Sequence, residues 1–520
     1  MVRQFADPHA FLRELVQNGI DAGAKRLVAS CDRDGDGTVR TAVEDDGTGM
    51  TRAIIEGPLL TLFQSSKESD SSKIGKYGVG FLSVFATKPE RVEVRTRTKG
   101  EGEAWLVTLF PDHSFELARD DAPLPGSGTT VTLVHAMDAD AFAEHAARSA
   151  QSLSRWCRHA HVPITFDGKP INEPLDLDAL VTVTLEENGA RYVAGAGGKD
   201  GATFIGLYNR GLTLYESAEP EEGLLGVHLK IDAPTLSHTL SRDNVRRDAE
   251  LRRVLRRAQT LVRGPLWKKL FERMGSAATD VATAADATRL QTLDALYDAA
   301  SASAFGRGGY DDIPVPLLEP IRGKATVKIE ELLEASPAVI ETAHESTNLT
   351  RALAAGGAVV VRSASLLPSL RTLARERPIH DAETSWLYAT TADIAEHPED
   401  QALLVEVERL LSRTGRSLAR AVLARYEGGA ATGPQYRVAK TKKGDAVLAR
   451  VLVEEPPWSK ASTLFLDVED AVVRLARRRA KTDPRVAGHL LARAVILLGG
   501  AIGPKDVDRL LEAAGDRDHG

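Results

Sequence analysis

The segment from Asp7 to Gly23 constrains this chain more than any other, because it reads as a helix with packing residues on one side and chemistry on the other. Asp7 can accept free amide hydrogens as an N-cap, Pro8 suits the first turn, and Gly23 can close the far end. A helix is therefore predicted over Pro8–Ala22. At about 100° per residue, Glu14, Asn18 and Asp21 fall within about 60° of one another, while Leu12, Leu15, Val16, Gly19 and Ile20 occupy the opposite arc. The apolar arc needs a layer to cover it, and the polar arc sets a carboxylate, an amide and a second carboxylate side by side. Alone, this spacing also fits a solvated polar face.

Three further stretches follow in order. Thr38 to Asp45 alternates as a strand and runs into Val43-Glu-Asp-Asp-Gly-Thr-Gly-Met50, where an aspartate at the strand end can accept from an exocyclic amine and the glycines allow close backbone approach. A plain Asp-Gly turn is the alternative there. Ile74-Gly-Lys-Tyr-Gly-Val-Gly-Phe81 then precedes a short helix over Phe81–Phe85, and amide hydrogens at such a loop suit phosphate oxygens. No strand leads directly into it, which disfavours a dinucleotide-binding fingerprint. Finally, Gly128-Thr-Thr-Val-Thr-Leu133 places a hydroxyl at the start of a strand. Strands are also predicted over Arg91–Arg97 and Trp105–Leu109.

Together, in this order, the four stretches resemble the ATP-binding domain of the GHKL superfamily, which groups gyrase, the ninety-kilodalton heat-shock chaperones, histidine kinases and MutL. Phe11-Leu-Arg-Glu-Leu-Val-Gln-Asn-Gly-Ile-Asp-Ala22 is similar to the chaperones' N-box, and Ile74–Phe81 to their glycine loop. The resemblance implies an N-terminal Bergerat-type α/β sandwich over residues 1–140. It casts Glu14 as the base that activates water, Asn18 as a ligand of Mg²⁺ and Asp21 as a contact on the nucleotide side of the pocket. Asp45 would read adenine, Gly49 and Met50 would line the base pocket, and Thr129 would join the adjacent water network. Gly75, Gly78, Val79, Gly80 and Phe81 would embrace the phosphates of ATP. The segment between Met50 and Gly75 would be the lid, with Lys67 available to phosphate; its Ser-Ser-Lys also resembles MutL and MORC-type ATPases. Lys67 and Lys76 as solvated loop lysines remain the plainer alternative.

Beyond residue 140, an α/β middle domain is expected over 145–274, with strands at Leu180–Leu185 and Leu224–Ile231 and a helical run over Asn244–Arg273. Its Leu236-Ser-His-Thr-Leu-Ser-Arg-Asp-Asn-Val245 resembles the chaperones' middle segment. By that match Arg242 would reach the γ-phosphate, with Asp243 and Arg246 departing from the family's pattern; an ordinary helix-start arginine is the alternative. Ala194-Gly-Ala-Gly-Gly-Lys199 is not a P-loop, since Val193 and Asp200 stand where Gly and Ser or Thr are needed. Residues 275–324 read as a partly helical connector and 325–520 as mixed α/β, then mainly helical. The fold class is thus α+β, multidomain.

Composition narrows the task. Lys plus Arg number 66 against 73 Asp plus Glu, so a net charge of −7 supplies no global drive toward polyanions or anionic membranes. The arginines around Arg252–Arg257 and Arg477–Arg479 could meet phosphates locally, but such runs also serve as solvated faces. Two cysteines, Cys31 and Cys157, cannot staple 520 residues, and no apolar run is long enough for a signal or anchor, so a cytoplasmic protein is expected. With few residues ahead of Phe11, the N-terminal strand and helix that long chaperones exchange are expected to be reduced. The resulting expectation is a heat-shock-type chaperone ATPase using ATP and Mg²⁺ on protein clients, with a homodimer left open. The alternative is a DNA-linked ATPase of MutL or MORC type, although nucleic acid is disfavoured; a histidine kinase would carry its ATPase domain last.

Overall fold

The computed structural model describes residues 7–60, 81–100, 103–198, 202–237, 239, 244–302, 310–335, 340–362, 368–374, 379–391, 394, 397–429, 436–440, 446–450, 460, 462–498 and 504–515. The chain divides into two units, Met1–Leu270 with Ala302–Phe305, and Phe271–Ser301 with Gly306–Gly520.

In the first unit the predicted helix begins as a 3₁₀ turn, Pro8–Ala10, and continues as α1, Phe11–Asp21. The tight first turn follows from its cap: Asp7 accepts from the His9 amide at 2.9 Å, two residues on. Strands β1 (Leu27–Arg33), β2 (Thr38–Asp45), β3 (Arg91–Arg97), β4 (Ala104–Leu109), β5 (Phe115–Arg119), β6 (Gly128–Ala136), β7 (Ile164–Phe166) and β8 (Lys169–Pro170) form one sheet in the order β5-β4-β3-β6-β2-β1-β7-β8. Its inner face alternates Val39, Val43, Val92, Val94, Val107, Leu109, Val131 and Leu133, all buried. Against them pack Phe11, Leu12, Leu15 and Val16 of α1 and Leu153 and Cys157 of α2, Ala139–Cys157. The apolar arc of α1 is thus covered by sheet, which turns its polar arc toward the strand ends.

A second sheet in this unit orders β9 (Ala179–Glu187), β10 (Ala190–Gly198), β11 (Phe204–Asn209), β12 (Leu212–Ser217) and β13 (Val227–Asp232) as β12-β11-β13-β10-β9. The helical run beyond it is interrupted. Asp248 accepts from the Glu250 and Leu251 amides, starting α3 at Ala249–Leu261, and Pro265, which has no amide hydrogen, sits in a widened turn before α4, Trp267–Thr283.

The second unit holds two five-stranded sheets. One orders β14 (Pro314–Ile321), β15 (Lys324–Lys328), β16 (Ile340–Ala343), β17 (Val359–Arg362) and β18 (Ile379–Asp381) as β15-β14-β17-β16-β18. The other orders β19 (Trp386–Thr390), β20 (Arg420–Gly428), β21 (Tyr436–Lys440), β22 (Ala446–Arg450) and β23 (Ser462–Asp467) as β21-β23-β20-β19-β22. The stretch read as a connector contains α5, Ala287–Ala302, whose Leu293, Tyr297 and Ala300 are fully buried, and Tyr297 donates to the Pro314 carbonyl at 2.6 Å. Helices at Ala471–Ala480, Pro484–Leu498 and Pro504–Gly515 close the described chain. Among the described residues no helix is long and apolar enough to cross a membrane.

Candidate nucleotide-binding site

The site is assembled where the C-terminal half of α1 meets the end of β2. Contact there depends on glycine at position 19, because a Cβ would stand 2.7 Å from a Leu27 methyl carbon and 3.0 Å from the Asp45 Cβ. The loop after β2 is tied to the same helix by the Thr48 amide, which donates to the Ala22 carbonyl at 3.0 Å. Asp46 faces away and accepts from the Lys25 and Arg26 amides at 2.6 and 3.0 Å, holding the turn from α1 into β1. The helix and the acidic strand end are therefore one packed feature, although 24 residues separate Asp21 from Asp45 in sequence.

Around Asp45 the polar groups converge. Its Oδ1 accepts from the Gly47 amide at 2.8 Å, and in the β2–β6 register Asp45 lies opposite Thr129. Burial pushes the Asp45 carboxyl up from the usual carboxylate range, against hydrogen bonds from the Gly47 and Thr129 backbones that act to lower it. Thr129 in turn lies opposite Thr96 of β3, their hydroxyls 3.1 Å apart, and the Met50 amide donates to Thr96 Oγ1 at 2.8 Å. Thr96 Oγ1 also donates to the Gly128 carbonyl at 3.1 Å. Gly49 has φ +67°, and any Cβ on it would collide with the Arg97 carbonyl, so the loop lies flat across β3. Thr96 was not singled out from the sequence. The signal was available: in Val92-Glu-Val-Arg-Thr96 the alternation points Thr96 inward, and a fully buried hydroxyl there needs polar company.

Along α1 the three polar residues differ in exposure. Glu14 is buried, at 4 %, whereas Asn18 and Asp21 are exposed. Beside Glu14, Arg13 is also buried, its guanidinium 4.8 Å from the centre of the Trp156 ring on α2. Asp21 accepts at Oδ1 from Arg210 Nη1 of the second sheet at 2.8 Å, a partner no local sequence pattern indicates. Phe81 opens a 3₁₀ segment, Phe81–Thr87, and packs on the core of the first sheet, as does Met50. Lys67, Gly75, Gly78, Val79, Gly80 and Arg242 lie outside the described residues.

The arrangement can receive a flat, amine-bearing ring at Asp45, with the Thr96 and Thr129 hydroxyls placed to order water beside it. It also presents a hard oxygen ligand, the Asn18 amide, between a buried and an exposed carboxylate on one helix, a donor suited to a cation that keeps its waters and takes few protein ligands. The residues present therefore fit a magnesium nucleotide.

Residues 7–115 match the family described as histidine kinase-, DNA gyrase B-, and HSP90-like ATPase. Among curated proteins, the chain is 33% identical over 204 residues to the chaperone protein HtpG of Mesorhizobium japonicum, covering 33% of this chain and 31% of that one. It is 31% identical over 194 residues to HtpG of Roseobacter denitrificans, covering 32% and 31%. It is 29% identical over 216 residues to HtpG of a Wolbachia species of Brugia malayi, covering 35% and 33%. The match thus spans about a third of the length of these relatives.

Proposed function

We propose that the N-terminal portion of this chain, whose residues 7–115 match the histidine kinase-, DNA gyrase B-, and HSP90-like ATPase family, is an ATPase module, and that the protein binds and hydrolyses ATP with Mg²⁺ and couples turnover to a conformational change on a protein client. The observation that carries the reading is the packing of Gly19 on Asp45, which brings the polar arc of α1 beside the half-buried carboxylate of the last residue of β2.

In this reading Asp45 accepts from the adenine amine, Gly49 and Met50 border the base, and Thr96 and Thr129 order the water beside it. Asn18 would hold Mg²⁺, which when bound would neutralise charge on the phosphates of the nucleotide. Glu14, shielded from bulk water, takes the proton of the attacking water at its carboxylate. Lys67 and the Gly75–Phe81 loop would contact phosphates, and Arg242 would meet the γ-phosphate as charge develops there.

The client half of the proposal rests on the HtpG relatives and on charge. The arginines in and just before helix α3 support a DNA-linked alternative less than their number suggests, because three of them pair with acidic neighbours: Arg247, ahead of the helix, with Glu221 at 2.7 Å, and on the helix Arg253 with Glu250 at 2.7 Å and Arg257 with Glu187 at 2.6 Å. Measuring Mg²⁺-dependent ATP turnover with a thermally unfolding protein and, separately, with duplex DNA decides between them. Stimulation by the client together with reduced aggregation is expected. Stimulation by DNA alone, steeply weakened by salt, would transfer the function to the DNA-linked class.

A further inference from the structure

Arg210 stands at a position where its residue type is locally unfavourable. It is the first central residue of the two-residue turn joining β11 to β12, where Asn209 pairs with Leu212, and its φ is +52°. Such turns favour Asn, Asp or Gly at that place, since a branched or long side chain with positive φ crowds the backbone. The second central residue, Gly211, has φ +76° and is pressed so closely on the segment after α2 that a Cβ would strike the His159 carbonyl. Asn209 is anchored as well, its Nδ2 donating to the Leu236 carbonyl at 2.7 Å. The turn is therefore held from both sides, and the arginine side chain leaves it from a fixed base.

Its partner is equally out of place. Asp21 is the last residue of α1, where a negative charge adds to the negative end of the helix dipole. Side chains of both are about half exposed, 54% for Arg210 and 51% for Asp21, so the ion pair adds little to stability. Two locally unfavourable choices joined by a bond of small stabilising value point to a task other than folding.

We propose that Arg210 is a positioning residue for ATP turnover: by holding the C-terminal end of α1 to the second sheet, it fixes the orientation of the helix that carries Glu14 and Asn18. The inference rests on the nucleotide site argued above. It separates two halves of that site. Asp45, Thr96 and Thr129 are set by strand register within the first sheet and do not depend on Arg210, whereas the residues of α1 do. A second tie on the same side, His161 Nε2 to Asp232 Oδ2 at 2.5 Å, fastens the segment after α2 to the end of β13, in register with Tyr208 beside the turn. The second sheet is thus a firm support for the arginine.

The test uses the full chain, with Arg210→Ala and Arg210→Lys, reading kcat for ATP, the Kd of a non-hydrolysable ATP analogue and the melting midpoint. Arg210→Ala is expected to lower kcat about tenfold, since small misalignments of reacting groups have large kinetic effects. Its Kd should stay within about threefold, and its midpoint within about 2 °C, as for the loss of an exposed pair. Arg210→Lys, which keeps the charge and most of the reach, should recover most of the rate. An unchanged kcat in Arg210→Ala overturns the proposal while leaving the nucleotide site intact. A rise in Kd as large as the fall in kcat also overturns it, since the arginine would then serve binding alone. If the unsubstituted chain does not bind the analogue, the nucleotide reading fails first and the proposal with it.

Discussion

At the scale of single residues, the site divides its labour by exposure. Glu14 and Asn18 are one turn apart on α1, yet the carboxylate is buried and the amide faces solvent. A sheltered carboxylate suits proton transfer, and an exposed amide can be reached by a hydrated cation. Asp45→Asn is accordingly expected to abolish nucleotide binding, while Glu14→Ala retains binding and stops turnover; a titration of both variants with a fluorescent ATP analogue, followed by phosphate release, distinguishes the roles. A different residue governs acid stability. His145 is buried between His9, whose Nε2 is 3.2 Å from its Nδ1, Thr41, whose hydroxyl is 2.8 Å from its Nε2, and the His135 ring at 5.2 Å. Burial first, then the neighbouring His9 and His135, lowers its pKa from 6.5 to about 4. Folding therefore favours the neutral ring: its contribution is complete above pH 6.5 and is lost as the pH falls toward about 4, on the order of 3 kcal/mol in all. Urea midpoints of His145→Gln should fall less steeply than those of the unsubstituted chain across that window, with a residual slope from His9 and His135, which burial also lowers.

At the scale of elements, what was legible in the sequence is what obeys short periodicity. Thr38–Asp45 and Arg91–Arg97 are strands with the bounds that alternation indicates, and the helix through Glu14, Asn18 and Asp21 is present with a 3₁₀ first turn. Elements with competing local signals were less legible: β14, Pro-Val-Pro-Leu-Leu-Glu-Pro-Ile, carries three prolines yet pairs with β15 through Val315 and Val327. Contacts between distant segments left no local trace. Thr96 reaches Met50 and Thr129 only because three strands lie in register, and Arg210 reaches Asp21 across 189 residues. The seam between α1 and β2 is testable at this scale. Gly19→Ala places a methyl group against the Asp45 Cβ, which cannot swing aside as the Leu27 side chain can. A loss of about 1–3 kcal/mol is expected, together with weaker nucleotide binding as the added methyl displaces the Asp45 carboxylate; chemical denaturation and analogue titration measure the two.

At the scale of the whole molecule, every described candidate residue lies in the first unit, Met1–Leu270. That unit has its own apolar core, built from α1, α2 and the eight-stranded sheet. A fragment ending at Leu270 is therefore expected to bind an ATP analogue within about threefold of the full chain, as a domain with its own core does; calorimetric titration of both checks this. The two sheets of the second unit were the least legible part of the sequence, because their strands are short and separated by stretches of mixed composition.

The first sheet has a consequence for the protein's synthesis. β1 is flanked by β2, which follows it at once, and by β7, which pairs with it in parallel through Leu27–Ile164, Val28–Thr165 and Ala29–Phe166. A ribosome must add about 130 residues between those two strands, on the order of ten seconds of translation at typical rates. Throughout that interval one side of β1 offers unpaired amides and carbonyls to any neighbouring strand, including that of another nascent copy on the same messenger. Codon choice and elongation speed between positions 33 and 164 therefore bear on yield, and synonymous changes that slow this stretch should favour co-translational aggregation without altering a single side chain.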